Sequence, residues 1–467
     1  NCDDLRFIAK SKNHHKIVPA PRLNSPVSPR LLDQVLEIAG LDSGQLPAAS
    51  RNQARLSFFD WMVCGLGGLN EPVSRNVLAF VRAEHAPGPC AVFGGGRASA
   101  LAAALANGTI SHALDYDDTH FDHVGHLSVG IYPAVLAVGQ ELNASIDDLV
   151  DAFLVGAESA IRIGLALGAA HYARGFHQTA TAGAFGATVA VSRLLGLSHQ
   201  QRVAALGLCA TRASGLKSQF GTMGKPLNAG FSASNGVECA KLAALGMTSA
   251  DDGLEGAQGF LETHSDAPSN ALDVDRFLFD RIRYKLHACC HGTHAMIEAI
   301  LATQKQHHIQ SKDLKQMRVS VNPRWLRVCD IKQPRTGLEV KFSYAWLAGM
   351  AMNGISTADP ETYTDTLCSN ELLRSFAGKV VVEGSDSTSD TEARIALELV
   401  SGSKVSNQHD LMSDIDDSLL ARRLFDKASA VIGDRAQPLW DLLFEGGNQP
   451  ASTLNDLLQP PVASVRP

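Results

Sequence analysis

No block of basic residues, and no basic stripe interleaved with aromatics, occurs anywhere in the 467 residues. Nucleic acid is therefore not an expected partner. No apolar run of about 18 residues is free of charges or helix breakers, so no transmembrane helix and no membrane partner are expected. The nine cysteines are odd in number and lack the spacing of a disulfide framework. Most of them sit in apolar runs, which predicts reduced thiols and a cytoplasmic setting. The sequence opens with neither a Met nor the apolar core of a signal peptide. Internal repeats and low-complexity tracts are missing from the region expected to fold. A phosphate loop is missing too: G-T-M-G-K-P (221–226) lacks the spacing and the Ser/Thr after Lys, and G-G-G-R (94–97) lacks a strand–loop–helix context.

What is present is ordinary globular material, 45% hydrophobic and 19% charged. The net charge is −7. An acidic protein that binds anions must gather cations locally, so an isolated Lys in an apolar setting stands out.

Residues 1–29 differ from the rest: a basic, aperiodic start is followed by Pro19, Pro21, Pro26 and Pro29. They are expected to be a disordered leader or an artefact. From 30 to 265 helical periodicity is nearly continuous, with no convincing alternating strand, and Ala- and Gly-rich stretches predict closely packed central helices. D-A-P-S-N (266–270) reads as a linker, and R-F-L-F-D-R-I-R-Y-K (276–285) as amphipathic with strand or mixed character. Strand-like runs follow at 316–321, 378–383 and 394–400, with helix between them, including 341–352. The expectation is a mainly α protein with four parts. These are the leader at 1–29, an all-α helical domain at 30–265, a smaller α+β lid domain at 266–405, and C-terminal helices at 406–467 that rejoin the first helices.

The densest chemistry lies in S-H-A-L-D-Y-D-D-T-H-F-D-H-V-G-H-L-S (111–128), with four Asp and four His between quiet apolar segments. Ionisable groups in that setting are expensive to bury and signal proton-transfer chemistry. If 115–119 were helical, Asp115 would share a face with Asp118 or Thr119. His120, His123 and His126 at intervals of three leave zinc or iron ligation open, although Gly125 argues for a loop. Three further motifs attract attention. In R-G-F-H-Q-T-A-T-A-G-A-F-G (174–186), His177 precedes a small-residue helix with Thr179 as a possible cap. In G-T-M-G-K-P-L-N-A-G-F-S (221–232), Lys225 stands isolated beside a helix start, a suitable carboxylate site. R-Y-K-L-H-A-C-C-H-G-T-H (283–294) carries His287, His291 and His294 around Cys289 and Cys290, a poor arrangement for a tetrahedral Cys-x-x-Cys site.

Taken together, L-D-Y-D-D-T…G-H-L-S (114–128), G-F-H-Q-T-A-T-A-G-A-F-G-A (175–187) and G-K-P-L-N-A-G-F-S-A (224–233) resemble the MmgE/PrpD family. G-L-E-G-x-x-G-F (253–260), Y-K-L-H-A-C-C-H-G-T-H (284–294) and T-G-L-E-V-K-F-S-Y (336–344) extend the resemblance over about 31–460. The family includes 2-methylcitrate dehydratases, cis-aconitate decarboxylases and an iminodisuccinate epimerase. The resemblance implies a large all-α domain built from both chain ends plus an α+β lid. It also implies a homodimer that needs neither metal nor cofactor, and a small polycarboxylate substrate.

By this resemblance the catalytic positions fall on Asp115, Thr119, His126, His177 and Lys225. His123, Lys285 and His294 are assigned to substrate binding, with His123 a rival to His126. Two departures stand out: Leu127 replaces a Pro in H-L-S, and Trp325 stands near the place where decarboxylase-like members carry a Tyr. Trp325 cannot act as a phenolic acid, which ranks decarboxylation lower. The expected chemistry is abstraction of a proton alpha to a carboxylate, with His126 and His177 as base and acid and Lys225 holding a substrate carboxylate. A 2-methylcitrate-type hydro-lyase leads. An aminodicarboxylate epimerase and a cis-aconitate-type decarboxylase follow, and a metal-dependent hydrolase using the His clusters is the alternative of another class.

Overall fold

In the computed structural model, residues 30–266 and 277–459 are described. The leader expected at 1–29 and most of the 266–270 linker lie outside them. The protein is mainly α-helical. Its first part carries α1 (Leu31–Gly40), α2 (Ala48–Gly67), α3 (Pro72–Ala83), α4 (Ala100–Ser111) and α5 (Ser128–Leu142). The helices α6 (Ile146–Arg174), α7 (Thr181–Leu194), α8 (His199–Ala210), α9 (Gly224–Ala244) and the short α10 (Phe260–His264) follow. A two-residue ladder, β1 (Cys90–Ala91) with β2 (Arg97–Ala98), is the one pair of strands described there, a small departure from the all-α expectation.

Local sequence explains the ends of several helices. Ser145 opens α6 with a reciprocal capping box: its hydroxyl accepts from the Asp148 amide and the Asp148 carboxylate accepts from the Ser145 amide. Glu255 reaches across the chain to the first two amides of α1, at 3.0 and 2.6 Å, a carboxylate at a helix N-terminus. By length and composition α6 alone among the described helices could cross a membrane, yet 83% of its most apolar window is buried inside the protein. It is a core helix.

The small residues have the packing role that the composition predicts. A Cβ placed on Gly156 of α6 would meet the Gly186 carbonyl at 2.5 Å, and one placed on Gly186 of α7 would meet the Gly156 carbonyl at 2.7 Å. The α4–α9 crossing is similar, with Gly108 against Gly230 at 2.8 Å. Backbone-to-backbone approach at these points draws α6 against α7 and α4 against α9, near the loop that carries the ionisable residues.

The second part holds α11 (His294–His307), β3 (Leu314–Val321), α12 (Pro323–Cys329), α13 (Gly337–Val340), α14 (Tyr344–Met352) and α15 (Glu371–Ala377). It continues with β4 (Val380–Gly384), β5 (Glu392–Leu399) and β6 (Lys404–Asp410). The four strands form one sheet in the order β4-β3-β5-β6, parallel between β3 and β4 and antiparallel elsewhere. Alternation sends Met317, Val319 and Val321 of β3 and Ala393, Ile395 and Leu397 of β5 into a core with α11 and α14. The expected strands match β3, β4 and β5. The sequence reading misses β6 because K-V-S-N-Q-H-D has no buried residue and so no apolar period. Of the stretch read as strand or mixed, 276–285, the described residues 277–285 form a 3-10 turn (Leu278–Arg281) followed by extended chain.

Two buried clusters divide the apolar interior. The first runs from Leu31 to Tyr284 and is completed by α16 (Asp417–Ile432), α17 (Ala436–Trp440) and residues up to Leu458. The second gathers residues from Ala288 to Leu397, together with Cys64 of α2 and Tyr116. Packing therefore changes between 284 and 288, beyond the expected boundary at 265, and the sheet runs past the expected end at 405 to Asp410. Gly156→Val should lower stability by about 2 kcal/mol or more, read as a shifted denaturant midpoint, because the α6–α7 contact has no room even for the Cβ of the added isopropyl group.

Candidate active site

The 111–128 stretch is an irregular loop between α4 and α5, so the helical reading of 115–119 does not hold. Asp115 sits in the left-handed region at φ 51°, and so does Val124 at φ 55°. Both are strained for non-Gly residues and are held by neighbours. A short bridge pairs His120 with Gly125, and another pairs Thr119 with Arg283. Asp118 turns away from the cleft. Its carboxylate accepts from the Leu127 and Ser128 amides at 3.3 and 3.1 Å and from the Ser128 hydroxyl, tying the loop to the start of α5. Burial, reinforced by Asp117, pushes the Asp118 carboxyl up to about 7.

Asp115 is the centre of the cluster. Its Oδ2 lies 2.5 Å from Lys225 Nζ and its Oδ1 2.9 Å from Lys285 Nζ. Lys225 comes from the first turn of α9 and Lys285 from the extended chain before α11. Burial opposes ionisation of Asp115, but the two ammoniums outweigh it and hold the carboxyl well below its usual range. Likewise burial works against the charge on Lys285 and Asp115 more than restores it. The Asp115 side chain is still 45% exposed, so this ion triplet opens on the cleft.

Beneath it Asp117, fully buried, bridges two imidazoles. Its Oδ1 is 2.8 Å from His112 Nδ1 and its Oδ2 2.8 Å from His126 Nδ1. The ionised carboxylate is hydrogen-bonded to His112 Nδ1, and it faces His126 Nδ1 at 2.8 Å without full hydrogen-bond alignment, which places the His126 proton on Nδ1 and leaves its Nε2 bare. His126 Nε2 points toward the cleft, 3.5 Å from Asp115. Burial depresses His126 to about 4 although Asp117 opposes the shift, so the ring is neutral at pH 7.

His177 forms the opposite wall. Its Nδ1 lies 3.2 Å from Asn228 Nδ2, which also faces the Leu216 carbonyl at 3.4 Å. The amide nitrogen donates to both, so His177 accepts on Nδ1 and keeps its proton on Nε2. Burial, then Lys225, holds it neutral. The rings of His112 and His177 stack at 6.3 Å and those of His112 and His126 meet edge-on at 4.6 Å. Thr119 turns its hydroxyl to His291 Nδ1 at 3.0 Å. Thr179 does not cap α7; its hydroxyl accepts from the His126 amide at 3.0 Å.

The loop thus brings together Asp115, His126, Lys225 and Lys285, faces them with His177, and reaches Thr119 through His291. It leaves out two expected residues. His123 is fully buried between Gly125 and Gly164, where a Cβ on Gly164 would lie 2.1 Å from its Nδ1, and its ring is outside the Asp115 cluster. His294 lies behind His291 and meets the Cys289 carbonyl at 3.2 Å. His112, Asp117 and Asn228 were not singled out by sequence, and His291 stood out only as one of three His around the Cys pair. A His and an Asp five apart in a loop follow no period, although both stand in the densest ionisable stretch.

The spacing proposed for metal ligation, His120–His123–His126, is not assembled: His120 is tied to the Leu278 carbonyl at 2.9 Å. His287, His291 and His294 each have a separate protein partner. A different set, His112, Asp115, Asp117 and His126, does place ligand atoms within 4.8 Å of one another. Two ammoniums on Asp115 already supply the positive charge there, which disfavours a cation and favours an anion.

His123 generates a pH prediction. Burial depresses its imidazole to about 3, and neither ring nitrogen has a hydrogen-bond partner among the described residues. Below pH 6.5 the unfolded chain binds a proton that the folded chain refuses. Stability is complete above that pH and falls as pH drops toward 3, by about 1.4 kcal/mol per unit for such a group. His123→Leu should therefore flatten the decline of Tm between pH 6.5 and 4; an unchanged slope contradicts the assignment.

Models of the MmgE/PrpD N-terminal domain and the MmgE/PrpD C-terminal domain match residues 37–273 and 287–409. The cis-aconitate decarboxylase of Aspergillus terreus (strain NIH 2624 / FGSC A1156) is 31% identical over 288 residues, covering 58% of this chain and 59% of that protein. The cis-aconitate decarboxylase-like protein oryM of Aspergillus oryzae (strain ATCC 42149 / RIB 40) is 30% identical over 293 residues, 58% and 60% of the two chains. The cis-aconitate decarboxylase of Homo sapiens is 33% identical over 163 residues, 34% of each. The chain spans about three-fifths of the length of the two fungal relatives. With matches that cover most of the sequence and both parts of the fold, the chain belongs to the MmgE/PrpD family.

Proposed function

We propose that this protein is a lyase that removes a proton alpha to a carboxylate of a small polycarboxylate, and that 2-methylcitrate-type dehydration is its leading reaction. The observation that carries the reading is a pair of neutral imidazoles with opposite tautomers across a lysine-bearing cleft. His126 offers a bare Nε2, held by Asp117 at its other nitrogen. His177 offers Nε2–H, held by Asn228.

A carbanion next to a carboxylate is unfavourable in water. The site answers with two ammoniums at the partly exposed Asp115, so a substrate carboxylate meets two cationic donors there. Lys225 and Lys285 receive that carboxylate, and the charge building on it in the transition state falls on the same groups. His126 takes the alpha proton and passes positive charge toward Asp117, while Asp115 keeps the lysines in register. His177 hydrogen-bonds the departing β-hydroxyl through Nε2–H, the proton taken up by His126 passes to that oxygen, and it leaves as water. An alkene remains, and both imidazoles are again neutral. Thr119, with His291 behind it, hydrogen-bonds the substrate.

Decarboxylation is the second reading, favoured by the names of the relatives. Against it stands Trp325, whose indole N–H is taken by the Asp390 carbonyl at 2.8 Å and whose ring lies on Gly292. It has no proton to give. Reprotonation of the same carbanion on its other face would make an epimerase of an aminodicarboxylate. On the same proposal, the first buried cluster is the large helical domain made from both chain ends and the second is the lid. The exposed Leu216, Phe220, Met223 and Phe231 near the cleft are surfaces a homodimer would cover.

Incubation with a panel of di- and tricarboxylates in deuterated water, followed by NMR, tests the reading. An alkene from a β-hydroxy acid supports dehydration, loss of CO₂ moves the assignment to decarboxylase, and exchange without product moves it to epimerase. No reaction with any acid, or stoichiometric zinc or iron in the purified protein, overturns it. Lys225→Ala should mainly raise KM, and His126→Asn should lower kcat by about 10²–10⁴-fold with little effect on KM.

A further inference from the structure

Lys427 is a buried cation that the proposed reaction does not use. It lies on α16, beyond residue 409 where the second family match ends. Its helix neighbours Leu420, Leu424 and Ala428 pack into the first core cluster, and its own side chain is 1% exposed. An ammonium there is strongly destabilising unless every donor finds a partner, and an apolar residue of similar volume is usually at least as stable. A buried lysine in this place calls for another explanation than stability.

Its partners supply one. Nζ donates to Asp60 Oδ1 of α2 at 2.6 Å and to the Tyr116 backbone carbonyl at 2.7 Å, and it stands 4.0 Å over the Tyr116 ring. The Tyr116 carbonyl belongs to the peptide that leads into Asp117. The preceding carbonyl, that of Asp115, accepts from Lys285 Nζ at 2.6 Å. Two consecutive carbonyls of the strained loop are thus gripped by ammoniums from opposite parts of the chain. Tyr116 is fixed a third time, by its hydroxyl on the Ala358 carbonyl at 3.0 Å. With both peptide planes set, Asp115 can face Lys225 while Asp117, two residues on, faces the two imidazoles beneath.

We infer that Lys427 is a positioning residue: it holds the Tyr116–Asp117 peptide so that Asp117 is aimed at His112 and His126, and Asp60 keeps its ammonium charged within the core. This links α16 to the 111–128 loop and makes that helix a part of the site's support. The kinetic consequence rests on the function proposed above; the placement of the loop does not.

The test uses the full chain with two variants, Lys427→Met and the double variant Lys427→Met/Asp60→Asn, which leaves no unpaired buried charge and protects the fold. In substrate-free protein the imidazole ¹⁵N resonances of His112 and His126 are expected to move in the folded variants while that of His287, bonded to Glu298, stays in place. With the acid that the wild type converts, kcat should fall by about 10²-fold, more than KM rises, as for a misplaced base. Lys427→Arg, which keeps a cation, should recover part of the loss. A folded double variant with wild-type resonances, kcat and KM overturns the inference and leaves Lys427 as a core ion pair. If the wild type converts no acid but the resonances move, the function reading fails and the positioning role stands.

Discussion

The contact on which the site depends is the ion triplet of Asp115 with Lys225 and Lys285. It joins three distant stretches of sequence: the loop after α4, the first turn of α9, and the extended chain at the seam between the two core clusters. No one of these stretches would hold its charge in place alone. Lys285 is nearly buried, Lys225 is 16% exposed, and Asp115 is in a backbone conformation that a non-Gly residue rarely adopts. Each condition is unfavourable by itself, and the attraction among the three groups offsets them together. Removing Asp115 leaves two ammoniums without their shared carboxylate, whereas removing either lysine leaves Asp115 to the other.

That triplet can only form because the helices behind it approach closely. The α4–α9 crossing at Gly108 and Gly230 sets the distance from the loop at the end of α4 to Lys225 at the start of α9. Bulky residues at the crossing would move the helix axes apart, and a shift of that size is comparable to the hydrogen-bond distances that define the cluster. Small residues, often read as mere core filling, are here a geometric condition for the chemistry. The same logic places the ring of Tyr116 in the second cluster while its carbonyl faces Lys427 in the first, so the loop is anchored on both sides of the seam.

Much of this was legible in the sequence, for physical reasons that also mark the limits. Helical periodicity carries far in a chain whose helices are long and amphipathic or wholly buried, and α2, α16 and the strands β3 to β5 stand where the pattern puts them. Edge strand β6 was hidden because its inward side is only partly buried and mostly polar, with Asn407 bonded to α11, and so leaves no apolar alternation. In the site, Asp115, His126, His177 and Lys225 were visible as ionisable groups stranded among small apolar residues, and the ordered motifs gave them a family. Pairings made in irregular backbone were not visible. Asp117 meets His112 five residues back and His126 nine residues ahead, and no periodicity encodes that. Lys427 reads as one more cation on an amphipathic helix until the helix is packed and its face is seen to be inward. His123, the rival of His126, differs from it only in the turn at Val124 and Gly125, which sends one ring into the core and the other to the cleft.

The electrostatic character of the cleft decides between the two broad classes of chemistry that its residues permit. Two imidazoles and two carboxylates within ligand distance of one another would suit a divalent cation if they were otherwise unpaired. Here one carboxylate is taken up by two ammoniums and the other by two Nδ1–H groups, so the lone pairs that a cation needs are already engaged. What remains free is a bare Nε2 on His126, an N–H on His177, and ammonium protons at the mouth. On the proposed function that remainder would serve as a base, a hydrogen-bond donor and an anion seat around the half-exposed Asp115. Burial, with Lys285 beside it, holds the His126 imidazole below its usual proton affinity, and an anionic substrate would strengthen its basicity on binding. The substrate's own carboxylates would thus raise the proton affinity of the group that acts on them, which couples binding to the onset of chemistry.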